Sequence, residues 1–214
     1  MSKEQLEKIY QKRHAVWTLK NTPSRELRSI VSCEVVNPCR AIDLGCGEGY
    51  NSIYLALNGF DVTGVDISEN AIAYAKENAG EHGVNIDFRS IDLLDNLDEL
   101  GKFGFGFEWA LLSQIMPEER KRYMKNLAKI IKEDGFYFSY SFNIKSEGFG
   151  GSKKGKYRTE GATGLPVYCP PTEETRELIE STDFKIKMVG KDIKFRDNNG
   201  VIHNGNYFLS KRTR

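Results

Sequence analysis

Residues 40–49 read Arg-Ala-Ile-Asp-Leu-Gly-Cys-Gly-Glu-Gly, a short apolar run that leads straight into three alternating glycines. The apolar run has the length of a buried strand, and residues 50–58 have the spacing of a helix. Glycines permit left-handed backbone conformations and let a ligand approach the main chain closely. Because doubly wound sheets bind ligands at such a strand-to-helix turn, the stretch predicts a binding site there, although a turn without a ligand could also contain these glycines.

The same alternation of short apolar segments and helical stretches continues as far as residue 142. It predicts strands over 40–44, 61–66, 84–89, 103–108 and 135–142, and helices over 50–58, 69–82 and 117–133. Strands that alternate with helices predict βαβ units with right-handed crossovers. The predicted fold class is therefore α/β, with a doubly wound, Rossmann-like sheet that is mostly parallel.

The two ends of the chain depart from this alternation. Helical spacing over 2–16, and a second helix that starts at Thr22-Pro23, predict an N-terminal helical cover. Near the other end, a helix over 172–182 precedes two strand-like runs that an Asn-Gly turn joins as a hairpin, over 184–196 and 201–210. The last strand then runs antiparallel to its neighbour, as one of seven strands in the sheet.

These patterns predict a single domain over residues 1–214. Its parts are the helical cover (1–39), a ligand-binding core (40–142), a loop (143–166) and a C-terminal helix with the hairpin (167–214). The loop contains six glycines and four lysines with little apolar content. It is therefore predicted to be a flexible loop beside the active site.

Composition excludes several classes of protein. The 214 residues include 31 Lys+Arg and 30 Asp+Glu, for a net charge of +1, and no apolar run approaches the length of a membrane span. The computed pI of 7.6 is below that of most nucleic-acid-binding domains. The N-terminus lacks the apolar segment of a signal peptide, and the four cysteines are unevenly spread, so a cytoplasmic protein is expected.

Charge is segregated along the chain. Residues 1–39 carry seven Lys/Arg and four Asp/Glu, residues 40–139 carry ten and seventeen, and residues 140–214 carry fourteen and nine. The acidic middle contains the glycine motif and two carboxylates that end later strands. Asp66 lies twenty-one positions after Gly45, and Asp92 follows the third strand. Asp66 is placed to accept hydrogen bonds from both hydroxyls of a ribose, and Asp92 with Leu93 suits an adenine, although either acid alone could cap a helix.

With these motifs in register, the chain resembles the class I S-adenosylmethionine-dependent methyltransferases. Its Gly-x-Gly-x-Gly spacing differs from the Gly-x-Gly-x-x-Gly of nicotinamide dehydrogenases. The resemblance implies that S-adenosyl-L-methionine is the cofactor and that the reaction is an in-line methyl transfer. The residues that it implies for cofactor binding are Trp17, Asp43, Gly45, Cys46, Gly47, Gly49, Asp66, Ile67, Asp92, Leu93 and Glu108.

The segment from Phe107 to Arg120 is similar to the thiopurine, thiol and tellurite-resistance branch of these enzymes, which acts on small molecules. The similarity lies in the acidic strand end at Glu108 and in a helix that opens with Pro117-Glu118-Glu119-Arg120. It implies catalytic roles for Glu108, Tyr157 and Arg158, and acceptor contacts from Tyr10, Trp17, Trp109, Tyr157 and Arg158. No metal is expected, because the cysteines and histidines match no metal-binding spacing.

Many members of that branch carry a histidine in the region of Ser113 and Gln114, where this chain has none. Without an obvious general base, the acceptor is expected to ionise readily. A thiol does so, with an ordinary pKa of about 8.5, and the thiolate is strongly nucleophilic. The expected acceptor is therefore a thiol or another soft nucleophile.

Two alternatives stay open from the sequence. One is an N- or O-methyltransferase of a small molecule or an RNA base, since the lysines of the 143–166 loop could meet phosphate. Against RNA, the fourth strand lacks an Asn/Asp-Pro-Pro-Tyr/Phe sequence. The other is a cofactor-binding protein without catalysis. A membrane partner is not expected, nucleic acid is not favoured, and both a monomer and a homodimer fit the sequence.

Overall fold

A computed structural model describes residues 3–11, 15, 18, 23–150, 155–197 and 199–213. A seven-stranded sheet forms its centre. The strands are β1 (Arg40–Leu44), β2 (Asp61–Asp66), β3 (Asp87–Ser90), β4 (Phe103–Trp109), β5 (Ile131–Phe142), β8 (Phe184–Arg196) and β9 (Ile202–Arg212), with a separate two-stranded ribbon of β6 (Tyr157–Thr159) and β7 (Pro166–Tyr168). The helices are α1 (Lys3–Ile9), α2 (Arg25–Ser32), α3 (Tyr50–Leu57), α4 (Glu69–Glu81), α5 (Pro117–Ile130) and α6 (Thr172–Glu180).

The order of the strands across the sheet is β3-β2-β1-β4-β5-β9-β8. Strands β1 to β5 are parallel, and β9 is antiparallel to both of its neighbours. This confirms the predicted α/β class, the mostly parallel sheet and the antiparallel last strand. The chain moves outward from β1 to β3 and then returns to the other side of β1 with β4. The carboxyl ends of β1 and β4 therefore border a topological switch point, where α/β sheets bind ligands.

The core forms on both faces of the sheet, because neighbouring strand residues point to opposite sides. Ala41 of β1 packs in one cluster of buried side chains, whereas Ile42 and Leu44 pack in the other. On the first face, the rings of Phe107 (β4) and Phe138 (β5) stack with their centroids 5.2 Å apart. Burial on both faces fixes the register of the central strands, and with it the position of the turns at their carboxyl ends.

The helical cover differs from its prediction at two points. Helix α2 begins at Arg25, because the hydroxyl of Ser24 accepts a hydrogen bond from the backbone N–H of Leu27 (3.3 Å) and so caps the helix. The predicted start at Thr22-Pro23 is two residues too early. Helix α1 ends at Ile9, although the prediction continues to residue 16. Among the described residues beyond it, Ala15 and Thr18 donate hydrogen bonds to Glu48 of the glycine turn.

The segment predicted as a loop over 143–166 contains local structure. Strand β6 pairs with β7 in an antiparallel ribbon, and Gly150 forms an isolated bridge to Thr159. The low apolar content of the segment concealed this ribbon, which is held by backbone pairing and by contacts of a few polar side chains. None of the helices in the described part of the chain is long and apolar enough to cross a membrane.

The space around Gly49 shows how closely the turn after β1 is packed. Its φ is +82°, and a Cβ atom there would lie 2.9 Å from Cζ of Phe88 and 3.0 Å from Cβ of Ala75. Gly83 has a similar φ of +66° but open space around it. We therefore expect Gly49→Ala to lower the free energy of unfolding by about 2–4 kcal/mol and Gly83→Ala by about 1 kcal/mol, as measured by urea denaturation. Equal losses for the two variants would contradict the close packing at Gly49.

Candidate active site

A cleft of about 1090 Å³ opens at the carboxyl ends of β1, β2 and β4. One end, the glycine end, is formed by the turns after these strands and after β3. The other, the aromatic end, lies between helix α2 and the hairpin of β8 and β9. The glycine end includes Asp43, Gly45, Cys46, Gly47, Gly49, Asp66, Ile67, Asp92 and Leu93; the aromatic end includes Trp109, Phe142, Phe149, Phe195, His203 and Tyr207. The cleft thus joins the predicted cofactor residues to a set of rings.

The glycine turn is held against β2 by its backbone. The N–H groups of Gly45 and Cys46 both donate to the carbonyl of Val65, at 2.8 and 2.9 Å. Gly45 and Gly47 have φ values of +70° and +53°; a Cβ on Gly45 would lie 3.0 Å from Cδ1 of Leu111, and one on Gly47 3.0 Å from the hydroxyl of Tyr10. Glycine is required here both for the backbone conformation and for the space that it leaves in the cleft.

Two buried carboxyl groups flank this turn. Asp66 is 8% exposed and accepts hydrogen bonds from the backbone N–H groups of Gly47 (3.0 Å) and Ser68 (2.9 Å). Asp43 is 2% exposed and accepts one from the hydroxyl of Ser52 (2.6 Å). Burial raises the pKa of both groups, that of Asp43 to about 7. Buried carboxyl groups with raised pKa values can form hydrogen bonds with a ligand in the cleft.

The other predicted residues at the glycine end are also in place. Asp92 lies in the turn after β3, where its side chain accepts a hydrogen bond from the N–H of Leu94 (2.9 Å). Ile67 and Leu93 form an apolar part of the cleft wall beside it. Burial raises the pKa of the Cys46 thiol well above its usual range, so the thiol is protonated at neutral pH and acts as a packing group.

The helical cover lies over the glycine end. Tyr10 is 2% exposed, and its hydroxyl lies above Gly47. Glu7 of α1 accepts hydrogen bonds from the hydroxyl of Ser68 (3.1 Å) and the N–H of Glu69, which places a carboxylate at the positive N-terminus of α4. The buried carboxylate of Glu48 accepts a hydrogen bond from Thr18 (3.0 Å). Sequence reasoning missed Glu7 and Glu48, because their roles depend on contacts between distant segments.

The aromatic end is built from β4, β5, β8, β9 and the segment after β5. The indole of Trp109 stacks on Tyr140 with ring centroids 4.0 Å apart, and meets Phe195 edge-on at 6.0 Å. Phe142 and Phe149 pack against each other with centroids 4.8 Å apart. Such contacts hold the rings in fixed orientations. The result is a rigid apolar wall suited to a flat ligand.

Glu108, predicted as a catalytic and cofactor-binding residue, does not line the cleft. It is fully buried behind the cleft wall, where it accepts hydrogen bonds from the N–H of Leu112 (2.9 Å) and from the hydroxyls of Tyr137 and Ser139. Burial raises its pKa to about 7. These bonds make Glu108 a brace for the short turn of Leu111–Ser113, which carries Leu111 to Gly45.

Tyr157 and Arg158 also lie away from the cleft lining. Tyr157 is 62% exposed and packs edge-on against Tyr168, whereas Arg158 is 3% exposed. The guanidinium of Arg158 lies against the segment that precedes β6 and donates to the backbone carbonyls of Ile144, Ser146 and Gly155. The structure thus brings Tyr10 and Trp109 to the cleft but not Tyr157 or Arg158. Trp17, the remaining predicted contact, lies outside the described residues.

Two further residues at the cleft were missed or given another meaning by sequence reasoning. Gln114 lines the cleft, and its buried Oε1 has no hydrogen-bond partner within the described parts of the chain. Arg120, the last residue of the Pro117-Glu118-Glu119-Arg120 sequence, donates from Nε to the carbonyl of Ile115 (2.8 Å) and from Nη2 to that of Leu112 (2.6 Å). The motif therefore fixes the wall between Leu111 and Ile115.

Comparisons with known proteins show which sequences this chain is similar to. Residues 41–135 match the family model described as a methyltransferase domain. A 72-residue stretch, 31% of this chain, is 39% identical to the probable S-adenosyl-L-methionine-dependent methyltransferase TehB of Haemophilus influenzae and covers 25% of that protein. A stretch of 176 residues, 77% of this chain, is 24% identical to a ubiquinone biosynthesis O-methyltransferase of Rhizobium leguminosarum and covers 63% of it. The chain thus matches only part of the length of these relatives.

Solved structures share the fold over the whole chain. The structure titled "Conversion of a Disulfide Bond into a Thioacetal Group during Echinomycin Biosynthesis" superposes with a TM-score of 0.81 at 16% identity, over 99% of this chain and 93% of the other. Crystalline TehB of Haemophilus influenzae superposes with a TM-score of 0.68 at 21% identity, over 91% and 64%. At these identities the likeness establishes the fold.

The raised pKa of the buried Glu108 carboxyl group can be tested by measuring the stability of the protein at different pH values. Its pKa is about 7 in the folded chain, against an ordinary 4.5, so the folded state holds its proton more tightly than the unfolded state. The stability that this proton contributes is present below about pH 4.5 and is lost as the pH rises through 7. Glu108→Gln has no such loss. We therefore expect the free energy of unfolding of Glu108→Gln, relative to that of the unsubstituted protein, to rise by on the order of 1–3 kcal/mol between pH 5 and pH 8.

Urea denaturation at the two pH values measures this difference. The exposed Glu81, changed to Gln, is the matched control and should give no change with pH. A difference between Glu108→Gln and the unsubstituted protein that is independent of pH would contradict the raised pKa.

Proposed function

We propose that the protein transfers a methyl group to a small molecule in the cleft described above, because residues 41–135 match the family model described as a methyltransferase domain and part of the chain is similar to a probable S-adenosyl-L-methionine-dependent methyltransferase. The observation that carries the proposal is the continuity of the cleft. A glycine turn flanked by buried carboxyl groups occupies one end, and a rigid aromatic wall occupies the other. A cofactor and an acceptor can therefore be held side by side out of water.

The residues present fit S-adenosylmethionine, the cofactor of this domain. The cradle at Gly45 and Gly47 would be filled by a Cβ atom, and the unpartnered Oε1 of Gln114 can accept a hydrogen bond from an ammonium group. Asp66 can accept hydrogen bonds from ribose hydroxyls, with the adenine packed between Ile67 and Leu93 near Asp92. When bound, the cofactor supplies a methyl group on a positively charged sulfur.

The chain's own contribution to such a transfer is alignment and the exclusion of water. A bimolecular displacement gains most when the two reactants are held in line in a dry site. Tyr10 covers the glycine end, and Trp109, stacked on Tyr140, fixes one wall of the aromatic end. The braces from Glu108 and Arg120 hold the intervening turn, so both are positioning residues for the cleft wall.

For the acceptor we propose a thiol or another soft nucleophile on a small molecule. A thiol has an ordinary pKa of about 8.5, and its thiolate is strongly nucleophilic, so it is methylated more readily than an alcohol. The relatives named above include a ubiquinone biosynthesis O-methyltransferase, so small molecules with other acceptor atoms belong in the test.

The direct test supplies methyl-labelled S-adenosylmethionine with separate sets of small thiols, phenols, amines, selenite or tellurite, and RNA. We expect label in a small-molecule product, with the highest rate among thiols and other soft nucleophiles. Label in RNA alone would overturn the small-molecule proposal. Tight cofactor binding without label in any acceptor would favour a cofactor-binding protein without catalysis.

Asp66 gives a test of the cofactor site that does not depend on the acceptor. Hydrogen bonds to a charged group are worth about 1.5–3 kcal/mol, so Asp66→Asn should weaken the binding of S-adenosylmethionine by about 10- to 100-fold. Asp61, exposed at the other end of β2, is the matched control, and Asp61→Asn should bind as the unsubstituted protein does. Calorimetry measures the affinities, and circular dichroism checks that both variants are folded. Equal affinities would remove Asp66 from the cofactor site.

A further inference from the structure

His203 lies in the wall of the aromatic end of the cleft, on β9. Its imidazole is 4% exposed and is enclosed by Phe149, Phe142 and Phe195, at centroid distances of 4.3, 5.3 and 6.2 Å. A histidine among rings is costly unless its nitrogens have hydrogen-bond partners. The position of those nitrogens therefore decides what His203 does.

The hydrogen bond to Asp197 determines which nitrogen carries the proton. Nε2 lies 3.0 Å from Oδ2 of Asp197, and Oδ1 of the same carboxylate accepts from the N–H groups of Asn199 and Val201, both at 2.9 Å. A carboxylate can only accept, so Nε2 of the neutral ring donates and Nδ1 carries the lone pair. Asp197 is itself anchored in the turn between β8 and β9, which keeps the ring in one orientation.

The lone pair on Nδ1 has no partner. The atom is buried, and within the described parts of the chain nothing forms a hydrogen bond with it. The neighbouring residue is Gly148, where a Cβ atom would lie 2.6 Å from Nδ1. Glycine at this position thus keeps a side chain off the nitrogen. A buried acceptor without a donor is a costly arrangement, and a ligand that brings an N–H, O–H or S–H group relieves it.

The charged groups near the ring, among the described residues, lie on three elements. On the β8–β9 turn, Asp197 bonds to it and Arg196 donates to the carbonyl of Gly200. On the segment after β5, Glu147 is exposed, and on β8, Lys194 is exposed on the cleft rim. From β5 the ring is faced by Phe142, which has no charge. Asp197 is therefore the only one of these charged groups that bonds to the imidazole.

We propose that His203, oriented by Asp197, accepts the proton of the methyl acceptor, and that this acceptor is a flat ring compound carrying an ionisable O–H, S–H or N–H group. This inference rests on the proposed methyl transfer. The acceptor's X–H bond breaks, its proton moves to Nδ1, and the electron pair stays on the acceptor atom. That pair forms the new bond to the methyl group, the pair of the broken carbon–sulfur bond stays on sulfur, and solvent later takes the proton from His203.

A binding experiment tests the proton transfer without any turnover. Nitrophenols and nitrothiophenols change their absorption when they lose a proton, so they report ionisation directly. In the presence of S-adenosylhomocysteine, we expect these probes to bind, to quench the fluorescence of Trp109, and to show the spectrum of the anion at a pH where the free probe is protonated. His203→Gln, which retains a donor for Asp197, should bind the probe in its protonated form.

Two other variants separate loss of the base from loss of folding. In Gly148→Ala, the added methyl group would lie 2.6 Å from Nδ1 and would displace the imidazole, so this variant should abolish the spectral shift as well. His82→Gln changes an exposed histidine at the end of α4, and it should behave as the unsubstituted protein does. S-adenosylhomocysteine affinity, measured for each variant, should be unchanged, because none of these residues lies at the glycine end.

Rates with a ring acceptor complete the test. For the unsubstituted protein, kcat should fall as the pH is lowered and the imidazole becomes protonated. His203→Gln should lower kcat by at least tenfold with little change in KM, and should lose this pH dependence. An unchanged probe spectrum and pH profile in His203→Gln would overturn the role of His203, and failure of every ring probe to bind would overturn the acceptor class. Anion formation on binding without label transfer would instead count against the proposed methyl transfer alone.

Discussion

The cleft depends on the close approach of the glycine turn to its surroundings. Three successive glycines in left-handed conformations carry the chain from β1 into α3, and each faces a different neighbour: Leu111, Tyr10 and Phe88. Two N–H groups of the turn share the carbonyl of Val65, which ties the end of β1 to the end of β2. Any side chain in this turn would occupy cleft volume or displace one of these neighbours, so the backbone itself becomes the ligand-binding surface.

The close packing around the cleft also buries carboxyl groups, which changes their pKa values. The pKa values of Asp43, Asp66 and Glu108 are all raised, because burial removes their charged forms from water. Asp43 and Asp66 face the cleft, where a ligand with hydroxyl or ammonium groups can satisfy them. Glu108 faces away from the cleft, and its oxygens accept hydrogen bonds that hold the Leu111–Ser113 turn. Arg120 holds the same turn by donating to the carbonyl of Leu112. Carboxyl groups on β1, β2 and β4 thus differ in role because they point to different sides of the wall.

Much of the fold could be predicted from the sequence, because strand and helix periodicity is local. The strands over 40–44, 61–66 and 184–196 have their predicted bounds. The errors fall where distant contacts decide the outcome. The cap from Ser24 starts α2 later than Pro23 suggested, and the ribbon of β6 and β7 forms in a segment whose composition predicted a loop. Arg158 shows the same limit: its charge suggested a ligand contact, but three backbone carbonyls bind the guanidinium.

The sequence by itself determined the α/β sheet, the glycine turn and the carboxylates at the ends of β2 and β3. The physical reason is that parallel strands bring their carboxyl ends to one edge, so residues at strand ends meet whatever the rest of the chain does. Only the tertiary structure decided which side chains form the aromatic end of the cleft. His203 and Phe149 are about fifty residues apart in sequence and meet only because the hairpin of β8 and β9 packs beside the end of β5. His203 belongs to no sequence motif. Only the packing of these segments places it in the cleft wall, where Nδ1 has no hydrogen-bond partner among the described residues.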